Sequence, residues 1–194
     1  MIFFKQRKLN RLRKKVGILS SNRLTNPVSD SLVKKEINLY KKLAVVYDSL
    51  TKSKKFPFAR EMAIESYRLA SELGDSEASR IVGQRLLEKG QFWDGMTDTL
   101  YFDQVHDSYK KTCFDAAVLF LKTASDKGDA IGKRLLGVAY VNGFGVEIDM
   151  DQGLKLIMES LDLENAWPRS AQIFAELGLN KPDFFTKLMS MKVS

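Results

Sequence analysis

Apolar positions recur at helical spacing in several separate stretches of this chain, punctuated by polar or small residues. Val33, Ile37, Tyr40, Ala44 and Tyr47 step by four and three, and Leu39, Leu43, Val46 and Leu50 widen the stripe. That periodicity predicts a helix from Ser31 to about Thr51, capped by Ser29 or Asp30. A face so wide needs a cover, which makes this an N-terminal capping helix laid against whatever follows. The lysines at 52, 54 and 55 then form a solvated turn. Pro57 suits the first position of a helix reaching Glu72, and a second helix follows to about Lys89. Pro182 opens a last amphipathic stretch with Phe184, Phe185, Leu188 and Met189, predicted as a C-terminal cap. At the other end, Leu9, Leu12, Val16 and Leu19 predict a basic amphipathic helix over 1–19, weakened by Gly17. Residues 20–30 read as a linker.

Between the caps one pattern occurs twice, 54 residues apart: Ala63-x6-Ala70-Ser71-x2-Gly74-Asp75-x4-Arg80-x2-Gly83, then Ala117-x6-Ala124-Ser125-x2-Gly128-Asp129-x4-Arg134-x2-Gly137. Alanines seven apart share one helical face. Glycine can then take the left-handed conformation that ends a helix, and aspartate offers an acceptor and a negative charge to the start of the next. Gly83 and Gly137 fall inside their second helices, where glycine is unfavourable unless a neighbouring backbone comes close. A helical hairpin that cannot bury its apolar face alone must stack on its copies, so the fold class is all-α, an α-solenoid.

The second copy resembles a Sel1-like repeat, a relative of the tetratricopeptide repeat, over Ala117 to Ser160. The residues that carry the likeness are Ala124, Gly128-Asp129-Ala130, Leu136-Gly137-Val138-Ala139-Tyr140 and Gly143-Phe144-Gly145-Val146-Glu147-Ile148-Asp149. The copy at 63–90 is looser: Leu86 stands in place of Tyr140, and no Gly-Val-x-x-Asp follows Gly90. A degenerate third copy over 153–178 places Glu164-Asn165 36 residues after Gly128-Asp129 and Ile173 in place of Gly137. The resemblance implies a solenoid of Sel1-like, tetratricopeptide-like hairpins acting as an interaction scaffold, with a groove for partner segments. Such proteins serve bacterial signalling, envelope and secretion assemblies, and eukaryotic quality control and mitochondrial assembly.

The spacing of 54 exceeds a repeat period of about 36, leaving an insertion at about 91–111. It contains Phe92, Trp93, Tyr101, Phe102 and Tyr109 beside Asp94, Asp98, Asp103 and Asp107, with no Lys or Arg from 90 to 109. Aromatic side chains anchor interfaces, and acidic neighbours steer a basic partner. Phe92, Trp93, Tyr101, Phe102 and Asp103 are therefore candidate partner-binding residues. An insertion folded on its own scaffold, or one that receives the basic N-terminus, fits the same composition.

Charge adds a second candidate. Net charge is +7, yet residues 1–29 hold eight Lys and Arg and no acid, leaving 23 basic against 24 acidic residues elsewhere. The chain thus divides into a basic arm and linker, 1–29, and a solenoid, 30–194. Phe3, Phe4, Arg7, Lys8, Arg11, Arg13, Lys14 and Lys15 are the arm's candidate binding residues. A protein groove, an anionic membrane surface, a targeting presequence and nucleic acid all suit it, nucleic acid least, because phenylalanines at its end favour lipid or protein.

Chemistry adds little. His106 and Cys113 are single residues two helical turns apart, too far for a dyad. Asp103, His106 and Asp107 make a common combination that predicts no metal. Gly128-x3-Gly132-Lys133 is one residue short of a phosphate loop, and no strand precedes Gly143-x-Gly145. Met158, Met189 and Met191 read as core filler. No enzyme and no cofactor is expected. One cysteine, no secretory signal and no apolar run long enough to span a bilayer favour the cytoplasm, the mitochondrial matrix or the inner face of a membrane. The expectation is an adaptor that binds protein partners in a larger complex through its arm, groove or insertion. The competing expectation is a peripheral membrane or nucleic-acid module led by the arm.

Overall fold

The computed structural model describes residues 2–25, 29–179 and 182–193. Among these there are nine α-helices, one short 3₁₀ turn and no strand. The helices are α1 (Ile2–Thr25), α2 (Asp30–Asp48), α3 (Ala59–Glu72), α4 (Ser76–Asp94), α5 (Gln104–Asp126), α6 (Ala130–Asn142), α7 (Met150–Leu163), α8 (Ser170–Glu176) and α9 (Pro182–Val193). The chain forms two compact units, Met1–Val82 and Gly83–Ser194, whose boundary falls inside α4. Within the units α2 packs on α1 and α3, α6 packs on α5 and α7, and α9 returns to α7.

In the first unit α2 is sandwiched by contacts with both α1 and α3. Its N-cap is Ser29, whose hydroxyl accepts from the Leu32 N–H. Tyr40, Leu43, Ala44, Val46 and Tyr47 are buried, which accounts for the breadth of the stripe. α3 starts at Ala59, so Pro57 lies in the turn before it and not at its first position. α1 runs six residues past the predicted end, through Thr25, and only 29–30 of the predicted linker are described beyond it; 26–28 lie outside the described residues. The reason is a polar seam. Ser20 donates to Glu36 Oε1 at 2.6 Å and Arg23 Nε to Glu36 Oε2 at 2.8 Å, with the Glu36 carboxylate almost wholly buried. Gly17 has open space around it and leaves the helix intact.

The repeated turns close alike. Gly74 N–H bonds the Ser71 carbonyl and Asp75 N–H the Ala70 carbonyl; Gly128 and Asp129 do the same to Ser125 and Ala124. Both glycines are left-handed, at φ of 102° and 80°. Each aspartate then caps the next helix, Asp75 accepting from Ala78 N–H and Asp129 from Gly132 N–H, both at 2.7 Å. The third copy shows the same closure one residue later than expected. Asn165, at φ 50°, takes the place of Gly128, and Ala166 N–H bonds the Leu161 carbonyl. The buried residue nine positions after that turn, as Gly137 is after Gly128, is therefore Phe174 and not Ile173.

In the second unit the close approaches fall where glycine predicts them. A Cβ on Gly137 would lie 2.6 Å from the Gly153 carbonyl oxygen, and one on Gly153 2.7 Å from that of Gly137, so α6 and α7 cross backbone to backbone. At Gly83 the obstacle is Leu121 at 2.7 Å, with the Ala117 carbonyl at 3.1 Å. The loop after α6 folds back on α5, stacking Phe144 on Phe114 with ring centres 4.6 Å apart. α9 closes the second core with buried Leu188 and part-buried Phe184 and Met191; the side chains of Phe185 and Met189 lie outside the described residues.

Candidate interaction surfaces

The insertion does not form a separate element. It lengthens α4 to Asp94, beyond the expected end at Lys89, and starts α5 at Gln104, leaving a nine-residue connection, 95–103. Asp103 caps α5, its carboxylate accepting from the His106 N–H at 3.0 Å. That bond, followed by the nearby His106, holds the Asp103 carboxyl below its ordinary range. Trp93 stacks on the His106 ring at 4.6 Å, Phe92 meets Trp93 edge-on at 5.3 Å, and Tyr109 meets it at 6.2 Å. Lys89 lies over the Tyr109 ring and Lys110 over Phe102. Lys110 also reaches Asp94 at 3.3 Å and Asp107 at 3.1 Å, so lysines just outside the cation-free stretch offset part of its charge.

The predicted residues therefore separate. Trp93 and Phe102 are half-buried and build the tip of the α4–α5 hairpin. Phe92 and Tyr101 are 60% and 82% exposed and face outward, with Leu100 and Val105 beside them in the connection and first turn, fully and 73% exposed. Sequence reasoning missed Leu100 and Val105 because neither is aromatic or charged. For Val105 a signal was available in the helix start, since an apolar residue two positions after the Asp103 N-cap has no preceding turn to pack against.

Cys113 is buried, and burial pushes its thiol up, against the opposing charge of Lys89 and a hydrogen bond with Tyr109. The His106 Nδ1 lies 2.8 Å from Asp103 Oδ1 but off the line of a hydrogen bond. Among the described residues no group of three or more His, Cys, Asp or Glu side chains is placed to hold a metal.

On the first unit the eight arm residues also separate. Leu9, Leu12 and Val16 are buried on the α2 side of α1. Arg13 joins that side, donating through Nε to the Tyr47 hydroxyl at 2.7 Å, and Lys5 donates to the Ser49 carbonyl at 2.9 Å. The opposite face carries Phe3, Phe4, Arg7, Arg11, Lys14 and Ile18, with Lys8 and Lys15 on its flank, all exposed. Arg7 lies over the Phe3 ring at 5.0 Å. Beside this face a groove of about 430 Å³ opens between α1 and α2, lined by Lys15, Lys35, Lys42 and Asn38 over Ile18, Leu19 and Leu39.

The basic excess lies mainly in the arm, with a small addition from residues 30–82, which hold 10 basic and 8 acidic side chains. Residues 1–82 hold 18 basic and 8 acidic side chains, and residues 83–194 hold 13 and 16. Counting everything after residue 29 as one body averages the lysines of α2 and its turn against the acids of the second unit.

No protein-family model matches the chain, and comparison with curated proteins gives no match. Similar solved structures include a Sel1 repeat protein from Oxalobacter formigenes, 19% identical, covering 93% of this chain and 70% of its own, with a TM-score of 0.41. Sel1 is the repeat that the motif from Ala117 to Ser160 resembles. No helix among the described residues is long and apolar enough to cross a membrane.

Proposed function

We propose that this protein is a non-catalytic binding module that docks a protein partner on the tip of the α4–α5 hairpin, as an adaptor within a larger complex. The observation that carries this reading is the outward display of Phe92 at the end of α4, Leu100 and Tyr101 in the connection and Val105 at the start of α5, around a base held by the Trp93–His106 stack and the Asp103 cap. Large apolar side chains held outward by a packed base lose little freedom on binding, which favours affinity. Asp98 and Asp103 beside them suit a partner whose contact surface has a basic rim. The repeat motif supports a scaffold role by resemblance alone.

The test is affinity purification of the full chain from its native cells, with native protein against Leu100→Ser/Tyr101→Ser. Both residues point to solvent, so the variant should keep native helicity and thermal midpoint while losing one stoichiometric component. Trp93 is unsuitable for this purpose because its ring supports the tip. Recovery of the same components by both proteins would reject the tip as the docking site.

A further inference from the structure

A different surface carries a second binding activity. We propose that the outer face of α1, with the lysine-rimmed groove beside it, is a contact for anionic phospholipid membrane. The inner stripe of α1 is already spent on α2, so α1 cannot offer an apolar seam to a partner's groove without leaving its place. What remains outward is convex, cationic and free of acidic residues: Arg7, Arg11 and Lys15 along the helix, Phe3 and Phe4 at 67% and 77% exposure at its start, and Ile18 at 52% near its middle.

Such a face suits a plane of negative charge, which needs no matching shape. Phenylalanine rings at the same level can enter the acyl boundary, as interfacial helices do. A phosphate backbone gains its main term from the cations alone and has no apolar layer for exposed phenylalanines to enter. The groove adds Lys35 and Lys42 from α2 to Lys15 from α1, so the positive plane spans two helices and has room at its centre for a phosphate headgroup. Because the hairpin tip plays no part here, the two proposals stand or fall separately.

The experiment is sedimentation of the full chain with vesicles of phosphatidylcholine alone or mixed in equal parts with phosphatidylserine. The chain should pellet with the mixed vesicles, stay in solution with the neutral ones, and dissociate as salt rises. Arg11→Gln/Lys15→Gln should lower partitioning roughly 25-fold, from about five-fold per charge. Phe3→Ser/Phe4→Ser should lower it while leaving the salt dependence in place. All four residues are exposed, and far-UV circular dichroism checks that each variant stays folded. A native chain that stays in the supernatant with mixed vesicles at low salt overturns the proposal. So does pelleting that ignores both double variants, or binding to double-stranded DNA as tight as to vesicles and indifferent to Phe3 and Phe4.

Discussion

Glycine does opposite things at different points of this chain, and the difference is a matter of ångströms. At Gly137 an added methyl would meet the Gly153 carbonyl at 2.6 Å and Ile157 Cγ1 at 2.8 Å. Overpacking of that kind costs about 1–3 kcal/mol, more than the ~1 kcal/mol that alanine gains over glycine in a helix. Gly17 has nothing within 4 Å, so there the gain is uncompensated. Gly137→Ala should therefore lower stability by up to about 2 kcal/mol and Gly17→Ala raise it by up to ~1 kcal/mol, both read from urea unfolding curves. A Gly17→Ala variant that destabilises would show a contact the geometry lacks. The close approaches at Gly83 and Gly137 were legible in the sequence because a helix-interior glycine repeated at the same place in both copies is a penalty that needs a reason. The mutual fit of Gly137 with Gly153 was not legible, since which two small residues meet depends on how α6 crosses α7.

At the scale of elements, apolar periodicity predicted α1, α2 and α9 and the repeated motif the hairpins between them, but the ends were misjudged. α1 was cut short because Ser20 to Thr25 contains little that is apolar. Its last turns are held by Ser20 and Arg23 on the buried Glu36, a polar seam that a hydrophobic pattern cannot register. Glu36→Ala leaves Ser20 and Arg23 without their acceptor and should cost about 1–3 kcal/mol, discounted because Arg23 is partly exposed. The loss should appear as faster proteolysis at the end of α1, while Glu36→Gln, which keeps an acceptor, should lie between. A second polar link joins α2 to the start of α4, where Lys41 meets Glu77 in the first turn and Asp75 just before it. The hydrogen bond from Lys41, above all, holds the Glu77 carboxyl below its ordinary range, against some burial. A lowered carboxylate contributes stability above its unfolded value and loses it as pH falls through its folded one. The link should thus hold at neutral pH and fail only in acid. Carboxyl NMR titration should show the Glu77 midpoint return to the ordinary range in Lys41→Met; an unmoved midpoint would put the cause elsewhere.

Taken whole, the chain is a +7 molecule whose charge is unevenly held, with an excess of ten cations before Gly83 and of three acids after it. Salt confines the field of any exposed charge to about 8–10 Å, so a charged partner or matrix responds to local density and not to the total. Two variants with the same net charge separate these quantities. Arg11→Glu/Lys15→Glu and Lys122→Glu/Lys155→Glu each reverse two exposed cations and leave +3. If total charge governed, the two would leave a cation-exchange column at the same salt. With α1 and the α2 groove as the contact, the first should elute well before the second, and the second should stay close to the native chain. The outcome bears on function because encounter rates with a charged partner follow the same local field. Equal elution of the two variants would mean that the cations on α1 hold no more of the surface potential than any other pair, leaving the basic face without a distinct role.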